Sequence, residues 1–306
     1  MSRYLARRLI VSAGVIFGVL ILTFSMLHLA PGDPVTALLG RQVATPERIE
    51  TLRTELGLDQ PLPVQFFSYV SDISAGDLGE SIQSKRPVTE IIAEQVPGTL
   101  ELVAASMVIS LAVGVPIGVL GSVKRGGLFD SITSGLTIGA VSVPTFWLGL
   151  LLILLFSVML GWFPAASGSG DLRGLVLPAL TLGIPGGALL ARLVRASMLD
   201  VLGSFHLTAA RARGISTSRV NYYAFRNAVV PVVTIIGLQI GYLLAGSVVV
   251  EKIFARQGLG RLAVDAIARQ DFPTAQGIVM VIAVGYVLVN TLTDLIHKWL
   301  DPRVRL

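Results

Sequence analysis

Phe205-His206-Leu207-Thr208-Ala209-Ala210-Arg211-Ala212-Arg213-Gly214-Ile215 is the stretch of this chain whose residue types and spacing are best suited to recognition. Small side chains at 209, 210 and 212 let a helix sit deep in a groove of another protein. Arg211 and Arg213 offer polar contacts to a partner or to lipid headgroups, and Gly214 permits the turn that follows. The spacing predicts a short docking helix. Bond-making chemistry has no comparable support: there is no Gly-x-x-x-x-Gly-Lys-Ser/Thr loop, no His-Glu-x-x-His pair and no Gly-x-Ser-x-Gly elbow. With 0 cysteines, disulfides, thiolate metal sites and thiol catalysis are excluded. His28, His206 and His297 are scattered at the edges of apolar runs and read as interfacial or capping residues. No catalytic residue, metal or cofactor is expected in this chain.

The segment sits between apolar runs, and composition says what those runs are. Hydrophobic residues make up 53% and charged residues only 14%, with a mean hydropathy of +0.75; about 25% charged is usual in soluble domains. The chain is read as a membrane protein. Stretches of about 18 or more uncharged residues are long enough to cross a bilayer with every backbone polar group bonded internally. Residues 9–27, 102–120, 131–160, 174–191 and 228–250 meet that test, and 277–293 is slightly shorter. Six spans are expected. The third run is longer than a membrane needs and contains Pro144, so a kink, tilt or lengthened end is expected there. Splitting it into two spans would instead place the termini on opposite sides.

Basic residues in the connections set orientation. Arg3, Arg7, Arg8, Lys124, Arg125, Arg192, Arg195, Arg211, Arg213, Arg219, Arg226, Lys298, Arg303 and Arg305 all fall on one side, more than half of the 24 Lys and Arg. Only Asp130, Asp200, Asp294 and Asp301 oppose them there. That side is expected to be cytoplasmic, with both termini and the 205–215 helix on it. The formal charge of +5 and the pI near 9.8 are then a topology signal and imply no nucleic-acid partner.

Three regions are expected: residues 1–30, a cytoplasmic amino end with the first span; 31–98, an extracytoplasmic cap rich in acids; and 99–306, a five-span core that includes the 205–215 helix. In the cap, Thr45-Pro46-Glu47 opens a helix, with Thr45 as cap and Pro46 at its first position. Ionisable groups are nearly absent from the span interiors, Glu101 and Asp294 lying at span ends, which argues against proton or sodium coupling. Gly14-x-x-x-Gly18, Gly114-x-x-x-Gly118 and Gly237-x-x-x-Gly241 suit close helix packing. Pro116, Pro178, Pro185 and Pro231 are kink or hinge positions, with Pro144 and Pro231 the two hinge candidates.

Ala209-Ala210, three residues and then Gly214 resembles the Glu-Ala-Ala-x-x-x-Gly signature of ABC-importer permeases, with Thr208 where that family often carries Glu and Ala224 to Asn227 where Leu-Pro is common. The likeness extends along most of the chain, through Pro31-Gly32-Asp33-Pro34, Leu56-Gly57-Leu58-Asp59-Gln60-Pro61, Gly76-Asp77-Leu78-Gly79, Gly246-Ser247, Val250-Glu251, Gly258-Leu259-Gly260 and Asp301-Pro302-Arg303-Val304-Arg305. In that order the stretches resemble the first of two paired permeases in dipeptide, oligopeptide, glutathione and nickel importers. Taken singly, Pro31-Gly32-Asp33-Pro34 is turn chemistry, Gly258-Leu259-Gly260 a tight turn and Asp301-Pro302 a helix terminator.

The resemblance implies an all-α polytopic fold of six transmembrane helices, type I permease-like. It also implies a second homologous permease, two ATPase subunits that bind ATP and Mg, an extracytoplasmic substrate-binding protein and a lipid bilayer as partners. Thr208, Ala209, Ala210, Arg211, Arg213 and Gly214 would be the residues coupled to the ATPase. Peptide-like cargo is the first expectation and nickel the alternative. An ion-coupled carrier, a membrane scaffold and an amphipathic helix lying on lipid at 205–215 are the competing readings.

Overall fold

The computed structural model describes residues 2–29, 46–55, 59–166, 168 and 170–300. Pro31-Gly32-Asp33-Pro34, Thr45, Leu56-Gly57-Leu58 and Asp301 to Arg305 lie outside the described residues. The helices, in order, are α1 (Ser2–Leu29), α2 (Pro46–Glu55), α3 (Leu62–Ser74), α4 (Val88–Val123), α5 (Leu128–Ser142), α6 (Thr145–Leu152) continuing as a π-helix (Ile153–Met159), α7 (Leu172–Leu202), α8 (Phe205–Ala212), α9 (Thr217–Ile253), α10 (Leu259–Ala268) and α11 (Phe272–Leu300). Among the described residues there is no strand, only an isolated bridge between Glu80 and Pro87.

Five of these helices are long and apolar enough to cross a membrane, or six if α5 and α6 with its π-helical extension count as one span. The third apolar run therefore differs from a simple kinked helix. It breaks at Val143-Pro144, and its halves meet at 104°. The cause is local: proline disfavours the α conformation in the residue before it, and Val143 is extended at φ −79°, ψ 126°. The 15 residues of α5 rise about 22 Å, short of a hydrocarbon layer of about 30 Å, so α5 does not cross alone.

The chain forms two compact units, Met1–Val96 with Leu262–Val287, and Pro97–Arg261 with Leu288–Leu306. In the first, Phe66 on α3 meets Phe24 of α1 edge-on at 5.3 Å between ring centres. The Tyr69 hydroxyl donates to Thr23 Oγ1 at 2.9 Å, and burial pushes this phenol above its ordinary pKa against the pull of that bond. Thr23's carbonyl accepts from Gln276 Nε2 at 2.8 Å, which ties α11 to α1. Buried Asp271 accepts from Ser81 Oγ at 2.6 Å, from the Ile82 amide at 3.0 Å and from Thr274 Oγ1 at 2.9 Å, so its carboxylate is paid for in hydrogen bonds.

The second unit packs around α7 and α9. One apolar cluster joins Leu102, Leu152, Leu177, Leu182, Leu243 and Phe254; the other joins Leu190, Val194, Met198, Leu207, Val220, Ala224 and Val232. Of the glycine pairs, Gly114 and Gly118 do bring α4 against α7: a Cβ on either would collide with the carbonyls of Gly187 and Ala191. Among the described residues, a Cβ on Gly14 or Gly18 would meet nothing within 4 Å. Pro231 lies inside α9, whose backbone is helical from Thr217, well before the expected span.

Candidate functional site

The 205–215 segment forms the expected short helix, α8, and its setting is simple. Ser204 precedes it in an extended conformation, with its hydroxyl turned back to the Val201 carbonyl at 2.5 Å. Leu207 is the buried anchor, 2% exposed, and packs with Val194 and Met198 of α7 and Val220 and Ala224 of α9. Phe205 projects at 89% exposure, and His206, Thr208, Arg211 and Ala212 are exposed beside it. The exposed side of α8 thus combines an open aromatic ring with polar and small side chains.

The residues expected to act together fall on this one element. Ala209 and Ala210 are half-buried, and Arg211 Nη1 donates to the Leu202 carbonyl at 3.1 Å, closing α8 back onto the end of α7. Thr208, in the place of the expected Glu, is exposed and donates its hydroxyl to the Ser204 carbonyl at 3.1 Å. The helix ends through Arg213, and Gly214 takes φ +80°, a left-handed conformation open to glycine at little cost. The Gly214 and Ile215 amides donate to the carbonyls of Arg211 and Ala210, which turns the chain directly into α9. Pro144 marks the α5–α6 break described above and is not part of this element.

Sequence reasoning missed a second constellation at the other end of α9. Glu251 is fully buried. Its Oε1 accepts from Thr99 Oγ1 of α4 at 2.7 Å and its Oε2 accepts from the Arg261 amide at 3.0 Å, while Thr99 Oγ1 in turn accepts from the Leu259 amide at 2.8 Å. Leu259 and Arg261 lie in the first turn of α10, where backbone N–H groups have no partner within the helix. Glu251 thus caps α10 from another helix, with the favourable charge for a helix amino end. Gly258 is required by proximity, because a Cβ there would lie on the Glu251 carboxylate, and a Cβ on Gly260 would strike the Val248 backbone. Gly258-Leu259-Gly260 is therefore a close-packed clasp rather than only a tight turn.

Next to the clasp, Arg256 is 1% exposed and pairs through Nη2 with Glu101 Oε2 at 2.6 Å. Its Nη1 faces the Gly168 carbonyl at 3.4 Å. The signal of this region in the sequence is an acid, Glu251, closing an apolar run, followed by two glycines; the partner Thr99 lies 152 residues away and cannot be found by spacing.

α9 has 37 residues and runs about 55 Å, with α8 packed near its start and the clasp at its end. A helical bundle with five or six helices long and apolar enough to cross a membrane, and a short exposed helix between two of the long ones, defines a polytopic membrane protein. The family model described as binding-protein-dependent transport system inner membrane component matches residues 114–306, and its amino-terminal companion model matches 1–103; the chain belongs to this family.

The glutathione transport system permease protein GsiC of Pectobacterium atrosepticum is 42% identical over 306 residues, covering 100% of this chain and 99% of that protein. The dipeptide transport system permease protein DppB of Escherichia coli K12 is 39% identical over 336 residues with the same coverage. Among solved structures, the inward-facing MetNI methionine ABC transporter shares the fold at TM-score 0.58 and 19% identity, over 69% of this chain and 96% of that one. An amino acid ABC transporter does so at TM-score 0.57 and 19% identity, over 69% and 94%.

Proposed function

We propose that this chain is the transmembrane permease subunit of an ATP-driven, binding-protein-dependent importer of di- and oligopeptides or glutathione-like peptides. The observation that carries the reading is α8: a short helix anchored by Leu207, with Phe205 and its small-residue neighbours open to a partner, in a chain of the inner-membrane-component family. The peptide class is supported by full-length relatives named for dipeptide and glutathione transport.

In this proposal two cytoplasmic ATPase subunits grip α8 and its counterpart in a second, homologous permease, and ATP and Mg are bound by those subunits. Thr208, Ala209, Ala210, Arg211, Arg213 and Gly214 set the docking geometry. A binding protein delivers peptide on the opposite side, at the 31–98 segment and the connection around α10. The distribution of basic residues supports a cytoplasmic position for α8 and both termini, with α5 and α6 together making one broken crossing. Displacement of α8 is carried along α9, with Pro231 as the hinge within it, toward the clasp at Glu251, so that closure of the ATPases opens the far side. Pro144 and Pro231 are the proposed hinge positions.

Uptake of labelled dipeptides, glutathione and nickel by cells with and without the gene, repeated after ATP depletion, tests the proposal. Gene-dependent and ATP-dependent peptide uptake is expected. Nickel uptake would overturn the cargo class, and uptake that survives ATP loss but collapses with the proton gradient would overturn the ATP-driven reading.

A further inference from the structure

We propose that the hollow between α4, α5 and α7 binds the headgroup and glycerol region of one anionic phospholipid. It is a cavity of about 440 Å³ lined by Ile117, Thr133, Ile138, Leu189, Arg192 and Arg195, among others.

Its two cations are not equivalent. Arg195 is committed: Nε and Nη2 each donate to Asp130 at 2.8 Å, and Asp130 also accepts from the Gly126 amide at 3.1 Å. The pair cancels its own charge. Arg192 lies one turn back on α7, is exposed, and among the described residues makes no hydrogen bond or ion pair. The hollow therefore carries one uncompensated positive charge on an otherwise largely apolar wall.

Depth selects the ligand. Arg192 lies 20 residues along α7 from Leu172, about 30 Å at 1.5 Å per residue, which equals the thickness of the hydrocarbon layer. If the start of α7 is at one membrane surface, the guanidinium is at headgroup level at the other. Ile138 and Leu189 lie on the walls of the same hollow, on the hydrocarbon side of Arg192. A monoanionic phosphodiester joined to acyl chains matches one free cation above an apolar wall, and basic hollows between spans on the cytoplasmic side are recognised lipid-headgroup sites. A free phosphate would leave the apolar wall unfilled. The proposed topology enters only in assigning the hollow to the cytoplasmic leaflet.

Native mass spectrometry of the full-length chain, with whatever subunits co-purify, tests this without reference to transport. The probes are phosphatidylglycerol, phosphatidylcholine and inorganic phosphate. One phosphatidylglycerol adduct is expected, bound at least about fivefold more tightly than phosphatidylcholine, weakened to the phosphatidylcholine level in Arg192→Gln, and retained in Arg192→Lys and in Arg219→Gln. Millimolar inorganic phosphate leaves it in place. Equal binding of the two lipids, an unchanged adduct in Arg192→Gln, or displacement by phosphate would overturn the proposal. Photocrosslinking of phosphatidylglycerol to the wild-type chain maps the same site without a variant: adducts on α5 or α7 around the hollow support it, and adducts elsewhere only refute it.

Discussion

The two ends of α9 are built in opposite ways. At Glu251 both carboxylate oxygens are taken, the Thr99 hydroxyl is shared, Gly258 leaves no room for a methyl group and Phe254 and Arg256 are buried alongside. At α8 one leucine is buried, while Phe205, Thr208, Arg211 and Arg213 face outward and the helix is only 8 residues long. A helix that short is marginal on its own and takes its stability from packing. The clasp is saturated within this chain, whereas α8 leaves most of its surface open. In the proposed function the clasp is the fixed end of α9 and α8 the end that is moved.

Substitutions can break the contrast from either side. The largest effect is expected from Glu251→Ala, which strips the caps from two buried N–H and O–H donors; a loss of about 3 kcal/mol follows. The melting temperature of the purified protein, followed by tryptophan fluorescence, should then fall by roughly 8 °C. Gly258→Ala keeps the carboxylate but forces a methyl into it, and about 2 kcal/mol is expected by the same assay. Leu207→Ala should cost about 1 kcal/mol or less in melting, below the range for a full core leucine, because a single-anchor helix can detach alone. Peptide uptake should nevertheless be severely reduced. Phe205→Ala should shift melting by no more than about 0.5 kcal/mol, as for surface positions, while uncoupling ATP hydrolysis from uptake. If Phe205→Ala proved as destabilising as Glu251→Ala, the distinction between the two ends would be lost.

How much of this was legible in the sequence depended on whether the cause was local. The spans follow from uncharged length, and α8 from small residues bounded by Gly214. The excess length of the third apolar run and its Pro144 point to a kink, tilt or lengthened end without choosing among them; the 104° break depends on how each half packs, α6 against α7 and α9, which periodicity does not encode. The clasp is invisible for the same reason: in the sequence Val250-Glu251 and Gly258-Leu259-Gly260 are separate short stretches, and only folding brings Thr99 to both of them. Arg256 gave no sign of burial, since an arginine in a connection is ordinarily solvated. The unequal roles of Arg192 and Arg195 likewise emerge only once Asp130 is placed beside one of them.

Because the chain has 0 cysteines, a single introduced thiol reports on α8 without background. Thr208→Cys places it on the exposed side of that helix. Maleimide labelling of this variant should be rapid in the permease alone and strongly suppressed when the ATPase subunits are co-assembled, with suppression changing between nucleotide-free and ATP-bound states. Labelling that is indifferent to the ATPases, in a complex shown to be intact, would contradict the claim that α8 is where this subunit is driven.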